Sequence, residues 1–301
     1  PGDPLAIFYW EALAFMALAE QMGGHAMFDV SLAPNSAGRG RTPMSTLCIR
    51  NVVPAPHLVA RHVAAHATVM FSGTLRPTQF YRDMLGLPEH ADGLEVEGPF
   101  HAAQLTVQVA GHISTRYRDR ERSLQPIAEV VAKQYAKQPG NYLCFFSSFE
   151  YMERVAQCLQ HAHPEWPVWL QTRALDEAGR HAFLARFTEQ GEGIGFAVLG
   201  GVFSEGVDLP GQRLIGAFIA TLGLPQVNAI NERMKLAMDK HFGADKGYDY
   251  TYLYPGMRKV VQAAGRVIRT EGDRGALFLI DDRYRRAEVR ALLPSWWKVG
   301  C

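Results

Sequence analysis

"NYLCFFSSFEYMERV", residues 141–155, joins two patterns at one point. Tyr142 to Phe146 is apolar without alternation, which predicts a strand buried on both faces. Ser147 and Ser148 end the run, and a helical pattern starts at Phe149. Ser148 stands where a hydroxyl caps a helix N-terminus. A helix start after a strand also suits phosphate, so Ser147 and Ser148 are both cap residues and candidate contacts to a nucleic-acid backbone.

Outward from this stretch the pattern repeats. Strands are expected at 104–110, 141–147, 167–171, 194–200, 214–220 and 275–281, and helices at 122–137, 149–161, 176–189, 227–240 and 257–269. Alternating, near-continuously apolar strands and helices predict an α/β fold, a parallel sheet with helices on both faces. Before it, 5–22 and 55–66 read as helices, 45–53 as a strand, 34–43 as a loop and 67–75 as a buried strand. A short helix is expected within 76–88 and a linker at 91–100.

The 301 residues are 48% hydrophobic and 20% charged, with a net charge of +1. That balance excludes a protein that binds nucleic acid through overall positive charge; an anion site must be local. The runs 116–122 and 282–290 mix bases with acids and read as solvated faces. The four cysteines include no CxxC pair, which argues against a zinc site or disulfide framework and for a reduced intracellular compartment, the cytoplasm or equivalent. Residues 4–28 are apolar, but Glu11 and Glu20 interrupt them and no basic segment precedes them. A buried amphipathic helix is expected there, not a signal peptide or a membrane span.

Three further stretches carry polar chemistry. In "QAAGRVIR" (262–269), a helix would bring Gln262, Arg266 and Arg269 within an arc of roughly 60° and turn Val260, Ala264, Val267 and Ile268 away. Two guanidinium groups on one face suit phosphate oxygens, and the glutamine adds an amide. "FAVLGGVFSEGVDLPG" (196–211) places Ser204, Glu205, Gly206 and Asp208 after a strand end, where open α/β sheets bind ligands. In "FSGTLRPTQFYRDMLGLP" (71–88), Ser72 and Thr74 hold the corresponding place. Other signals are weaker. Asp176 and Glu177 read as helix-start acids. His62 and His66 have a zinc-like spacing but no third ligand nearby. "YDYTYLYP" (248–255) reads as a packed connection into the next helix, with stacking on bases as the alternative, and "PSWWKVG" (294–300) as a docking tail.

In this order the stretches resemble the C-terminal half of superfamily 2 DNA helicases of the XPD/DinG, iron–sulfur type. "SGTL" is similar to motif III, "FFSSFEYME" to motif IV, "GGVFSEGVDLPG" to motif V and "QAAGRVIR" to the motif VI pattern QxxGRxxR. "DRGALFLIDDRY" resembles the family's continuation after motif VI, and the likeness spans roughly 45–290. It implies two RecA-like domains closing on ATP and Mg to move along single-stranded DNA. Arg266 and Arg269 would act at the γ-phosphate, Gln262 would sense the nucleotide, and Glu205, Gly206 and Asp208 would border it. Ser147, Ser148, Ser204 and Thr74 would face DNA, and no residue would hold a metal. The sequence contains no GxxxxGK[ST] and no four-cysteine cluster. The implied division is therefore 1–98, the end of a first motor domain and its insertion, and 99–301, the second RecA-like domain. The rest of the first domain, and any iron–sulfur cluster, would lie on a longer protein, and this chain alone would be inactive. A non-catalytic RecA-like binding module and a nuclease-coupled helicase are the alternatives.

Overall fold

The computed structural model describes residues 3–32, 45–204 and 207–300. In chain order the first elements are α1 (Pro4–Glu20), β1 (Ala26–Leu32), β2 (Ser45–Asn51), α2 (Ala55–Ala64), α3 (Thr78–Leu85), β3 (Leu105–Val109), α4 (Arg120–Lys137), β4 (Asn141–Phe146) and α5 (Phe149–Ala162). They are followed by β5 (Val168–Leu170), α6 (Glu177–Ala185), β6 (Gly193–Val198), β7 (Gly216–Ala220), α7 (Ala229–Phe242), α8 (Lys246–Tyr248), α9 (Tyr254–Ala264), β8 (Gly275–Leu279), α10 (Ala287–Arg290) and β9 (Val299–Gly300). They form two compact units: Pro1–Gly93 with Gln226–Thr251, and Leu94–Pro225 with Tyr252–Cys301.

The second unit is built on a seven-stranded sheet in the order β5-β6-β4-β7-β8-β3-β9, with every neighbouring pair parallel. The apolar run of β4 shows why the strands lack alternation. Tyr142, Cys144 and Phe146 pack with Val131 of α4 and Val155 of α5 on one face, while Leu143 and Phe145 pack with Phe183 of α6 and Val260 of α9 on the other. Helices cover both faces, as a RecA-like α/β fold requires. Fully burying one phenylalanine stabilises by about 2–3 kcal/mol relative to exposure. Phe145 of β4, Phe196 of β6 and Phe218 of β7 are at most 1% exposed. Burial pushes the Cys144 thiol well above its ordinary pKa, so it is inert packing. Register aligns Phe146 with Val198 and Ala220, so Ser147, Leu199 and Thr221 leave the sheet at one level, its C-terminal edge.

The first unit holds an antiparallel pair, β1 with β2, running from Ala26 opposite Asn51 to Leu32 opposite Ser45 and tied by an Arg50–Asp29 ion pair of 2.5 Å. Sequence reading misses β1. Tyr250 binds α7 to α3: its ring lies 5.0 Å from Phe80 and 5.1 Å from Phe242, and its hydroxyl donates to Asp83. Residues 226–251 therefore group with this unit, although sequence reading places them within 99–301.

Two expectations for this unit fail. None of α1 is buried, and Leu5, Phe8, Trp10 and Met16 are exposed. The helix is apolar all round, so burial would need neighbours on every side, and the described residues do not supply them. Residues 67–70 pair with no strand among the described residues, and Val69 and Phe71 are 82% and 91% exposed. An apolar run becomes a strand only where a ladder partner takes its backbone groups. The expected loop 34–43 lies outside the described residues.

Candidate functional site

The site lies where the segment from β6 to β7 meets the end of α9. The segment leaves the C-terminal edge at Leu199 and returns to the start of β7 at Gly216. Its first turn is fixed from within. Gly200 has φ +81°, and a Cβ there would come 3.1 Å from Cδ of Lys259, whose stem lies across it. The Gly200 N–H donates to Ser204 Oγ (2.7 Å), and Gln171 Oε1 accepts from the Val198 N–H (2.9 Å). Ser204 is 1% exposed, so its side chain positions this turn and offers no surface to a bound strand. Glu205 and Gly206 lie outside the described residues.

The arginines hold the middle of the segment. Arg266 donates to the Val207 carbonyl at 3.1 Å and to the Ser204 carbonyl at 3.4 Å. Arg269 donates to the same Val207 carbonyl at 3.0 Å, and its Nε lies 3.3 Å from Asp208 Oδ1. Arg266, Arg269 and Asp208 are thus brought together, but not as neighbours on a helix face. α9 ends at Ala264, not 269, and the next turn closes through Arg266 N–H to Ala263 and Val267 N–H to Ala264. Beyond the helix Val267 and Ile268 still enter the core, at 2% and 4% exposure. Gln262 is half-buried in the last turn of α9.

Asp273, which sequence reading does not single out, fixes the end of this segment. Its Oδ2 accepts from the N–H groups of Arg269 (2.7 Å) and Thr270 (2.8 Å), and its Oδ1 from the Thr270 hydroxyl (2.7 Å) and the Gly211 N–H (3.3 Å). Burial alone would raise its pKa; these hydrogen bonds outweigh burial and lower it. One carboxylate therefore couples the arginine segment to the β6–β7 segment. The Gln104 amide donates to the carbonyls of Thr270, Glu271 and Asp273.

A second buried carboxylate stands after β8. Asp281 is fully buried and accepts from the Thr115 N–H (2.9 Å) and hydroxyl, and from Arg283 N–H (2.9 Å), Nε (2.6 Å) and Nη2 (3.0 Å). Burial pushes its pKa up, but Arg283 and Thr115 prevail and hold it at about 2. The only local signal is the Asp-Asp-Arg after a strand; Thr115 lies 166 residues away.

Ser147 and Ser148 stand at the end of β4. Ser148 caps α5, accepting from the Tyr151 N–H at 3.3 Å, as expected. Ser147 is exposed, and its Oγ accepts from Arg120 Nη2 at 2.8 Å. They share no hydrogen bond or ion pair with the arginine cluster among the described residues. Thr74 belongs to the first unit, in a turn where its N–H donates to Ser72 Oγ at 3.2 Å. Asp176 caps α6 through Gly179 N–H (2.8 Å), also as expected. Among the described residues no three His, Cys, Asp or Glu side chains gather as a metal site, and no helix is long and apolar enough to cross a membrane.

The XPD helicase subunit of general transcription and DNA repair factor IIH from Dictyostelium discoideum is 25% identical over 251 residues, 76% of this chain and 31% of that protein. The ATP-dependent DNA helicase chl-1 of Caenorhabditis elegans is 25% identical over 276 residues, 81% of this chain and 31% of its own length. The chain thus spans about a third of these relatives. A solved XPD helicase superimposes with a TM-score of 0.64 at 18% identity, covering 82% of this chain and 44% of that one. Xpd4 of S. tokodaii gives 0.58 at 16%, covering 96% and 64%. These structures share the fold. The family model described as the helicase C-terminal domain matches residues 131–300, from α4 through the arginine segment to β9. With more than half of its length in that match, the chain belongs to the helicase C-terminal domain family.

Proposed function

We propose that this chain is the C-terminal motor half of an ATP-dependent DNA helicase or translocase that acts on single-stranded DNA. The observation that carries this reading is the convergence of Arg266 and Arg269 on one carbonyl, that of Val207. Both guanidinium groups bond to a neutral acceptor that a charged phosphate oxygen can replace, since charge-assisted bonds are the stronger. The donor set suits a nucleotide's phosphate tail but supplies no cradle for it. Among the described residues no three carboxylate, histidine or cysteine side chains gather as a metal site, and in this reading the cradle and the metal belong to a first RecA-like domain of a longer protein. Cys48, Cys144 and Cys158 likewise do not gather as a metal site among the described residues, and Cys144 is buried in β4. Any iron–sulfur cluster belongs, in the same reading, to the rest of that protein.

ATP supplies the free energy of its hydrolysis when bound between the two domains. Arg266 and Arg269 stabilise negative charge developing on the transferred phosphoryl group. Gln262 reports the nucleotide to α9. Asp208 holds Arg269 until phosphate takes its place, and Glu205 and Gly206 border the same space. Ser204 and Asp273 position the segment. Ser147, Ser148 and Thr74 face the DNA.

The test is single-stranded-DNA-stimulated ATP hydrolysis by the full-length protein, wild type against Arg269→Ala, with nucleotide binding measured in both. Turnover is expected to fall by about 10²–10³ while binding survives. Unchanged turnover would remove the arginines from the chemistry.

A further inference from the structure

We infer that Tyr117 and Arg120 form a platform that takes one nucleotide of a single strand, the base on the tyrosine ring and the phosphate on the guanidinium, at the N-terminus of α5. This rests on the DNA-motor reading and adds to it two residues of the 116–122 run.

By sequence that run is a solvated mixed-charge face, and most of it is so in the structure. Arg116 pairs with Asp282 (2.6 Å), and Arg118 (3.8 Å) and Arg122 (2.7 Å) share Asp119. Arg120 is the exception: among the described residues no carboxylate lies within ion-pair distance of it. Its Nη2 bonds the Ser147 hydroxyl, and its buried Nε has no hydrogen-bond partner. It also stands in the first turn of α4, where a cation opposes the helix dipole. Helix stability does not account for an arginine there.

The guanidinium is nonetheless held in place. Its carbon lies 5.2 Å from the ring centroid of Tyr117 and 5.1 Å from that of Tyr151. Tyr151 is itself fixed, 2% exposed with its hydroxyl on Ser123 Oγ. Tyr117 is the opposite case, 85% exposed, a flat aromatic surface supported from behind by a cation. Arg173 lies 5.0 Å from the ring of Phe149, the first residue of α5, so a second aromatic–arginine pair stands at the helix start. An exposed ring, an unbalanced arginine and a capped helix N-terminus match what a single strand offers: a stacking face and a phosphate every nucleotide.

The experiment measures affinity of the full-length protein for labelled dT20 and for an abasic strand of equal length. Wild type is expected to prefer dT20. Tyr117→Ala is expected to lose roughly 5- to 100-fold on dT20 and to leave the abasic strand unchanged, while Tyr117→Trp keeps the preference. Arg120→Ala is expected to weaken both strands and to reduce the salt slope by about 0.7. The platform is overturned if Tyr117→Ala binds dT20 like wild type, or loses the same factor on both strands. If wild type binds neither strand, the DNA-motor reading itself falls, and that outcome is distinct.

Discussion

Asp273→Asn and Asp273→Ala separate two ways of losing one carboxylate. Asparagine keeps one carbonyl oxygen and turns the other position into a donor. With that oxygen at the Oδ2 position, the N–H groups of Arg269 and Thr270 stay satisfied, and the Thr270 hydroxyl can rotate to accept. The Gly211 N–H, already the longest contact at 3.3 Å, then faces another donor. The expected cost is one charge-assisted bond, about 1.5–2 kcal/mol. Alanine removes all four contacts and leaves the Arg269 and Thr270 N–H groups without their acceptor. At about 1–3 kcal/mol per group, with incomplete additivity, the expected cost is roughly 3–5 kcal/mol. Urea denaturation of the three proteins at neutral pH, with m compared, measures both. Equal losses for the two variants, or losses below about 0.5 kcal/mol for both, would show that Asp273 does not hold the two segments together.

Asp281 and Gly223 give independent checks. A carboxyl held at about 2 when folded, below about 3.9 when unfolded, contributes stability present above the unfolded value and lost as pH falls through the folded one. Wild type is therefore expected to lose about 2–3 kcal/mol between pH 5 and pH 2 through this group. Asp281→Asn, less stable at neutral pH, should lack that part of the acid limb; parallel limbs in urea titrations would refute the assignment. Gly223 has φ +69°, and a Cβ on it would sit 2.6 Å from the Gly256 carbonyl oxygen. Gly223→Ala is expected to cost at least about 2 kcal/mol, and a shift below about 0.5 kcal/mol in the same assay would contradict that geometry.

The sheet was legible because two-sided burial removes the polar positions from a strand, and β4, β6 and β7 carry that mark. The same mark misled at 67–75, where apolar composition occurs without a ladder partner. The end of α9 was not legible locally. Gln262, Arg266 and Arg269 keep helical spacing, yet the helix ends at Ala264, and Asp273 takes the N–H groups of Arg269 and Thr270 that a longer helix would bond internally. Arg266, Arg269 and Asp208 could be picked out by residue type, but their meeting point at the Val207 carbonyl required the fold. Thr115 and Asp281 show the limit most clearly: each is ordinary in its own neighbourhood, and their bond exists because β3 and β8 are adjacent in the sheet.

The grouping of Gln226–Thr251 with Pro1–Gly93 has a consequence for how the gene can be divided. The chain passes from one unit to the other three times, so no single cut frees the seven-stranded sheet. A truncation beginning at Leu94 keeps Tyr250 but deletes Phe80 and Asp83, uncovering an aromatic ring that is 3% exposed in the intact chain. A graft of the sheet alone into a chimaera must remove 226–251 as well and rejoin Pro225 to Tyr252, just ahead of the helix that leads to the arginines.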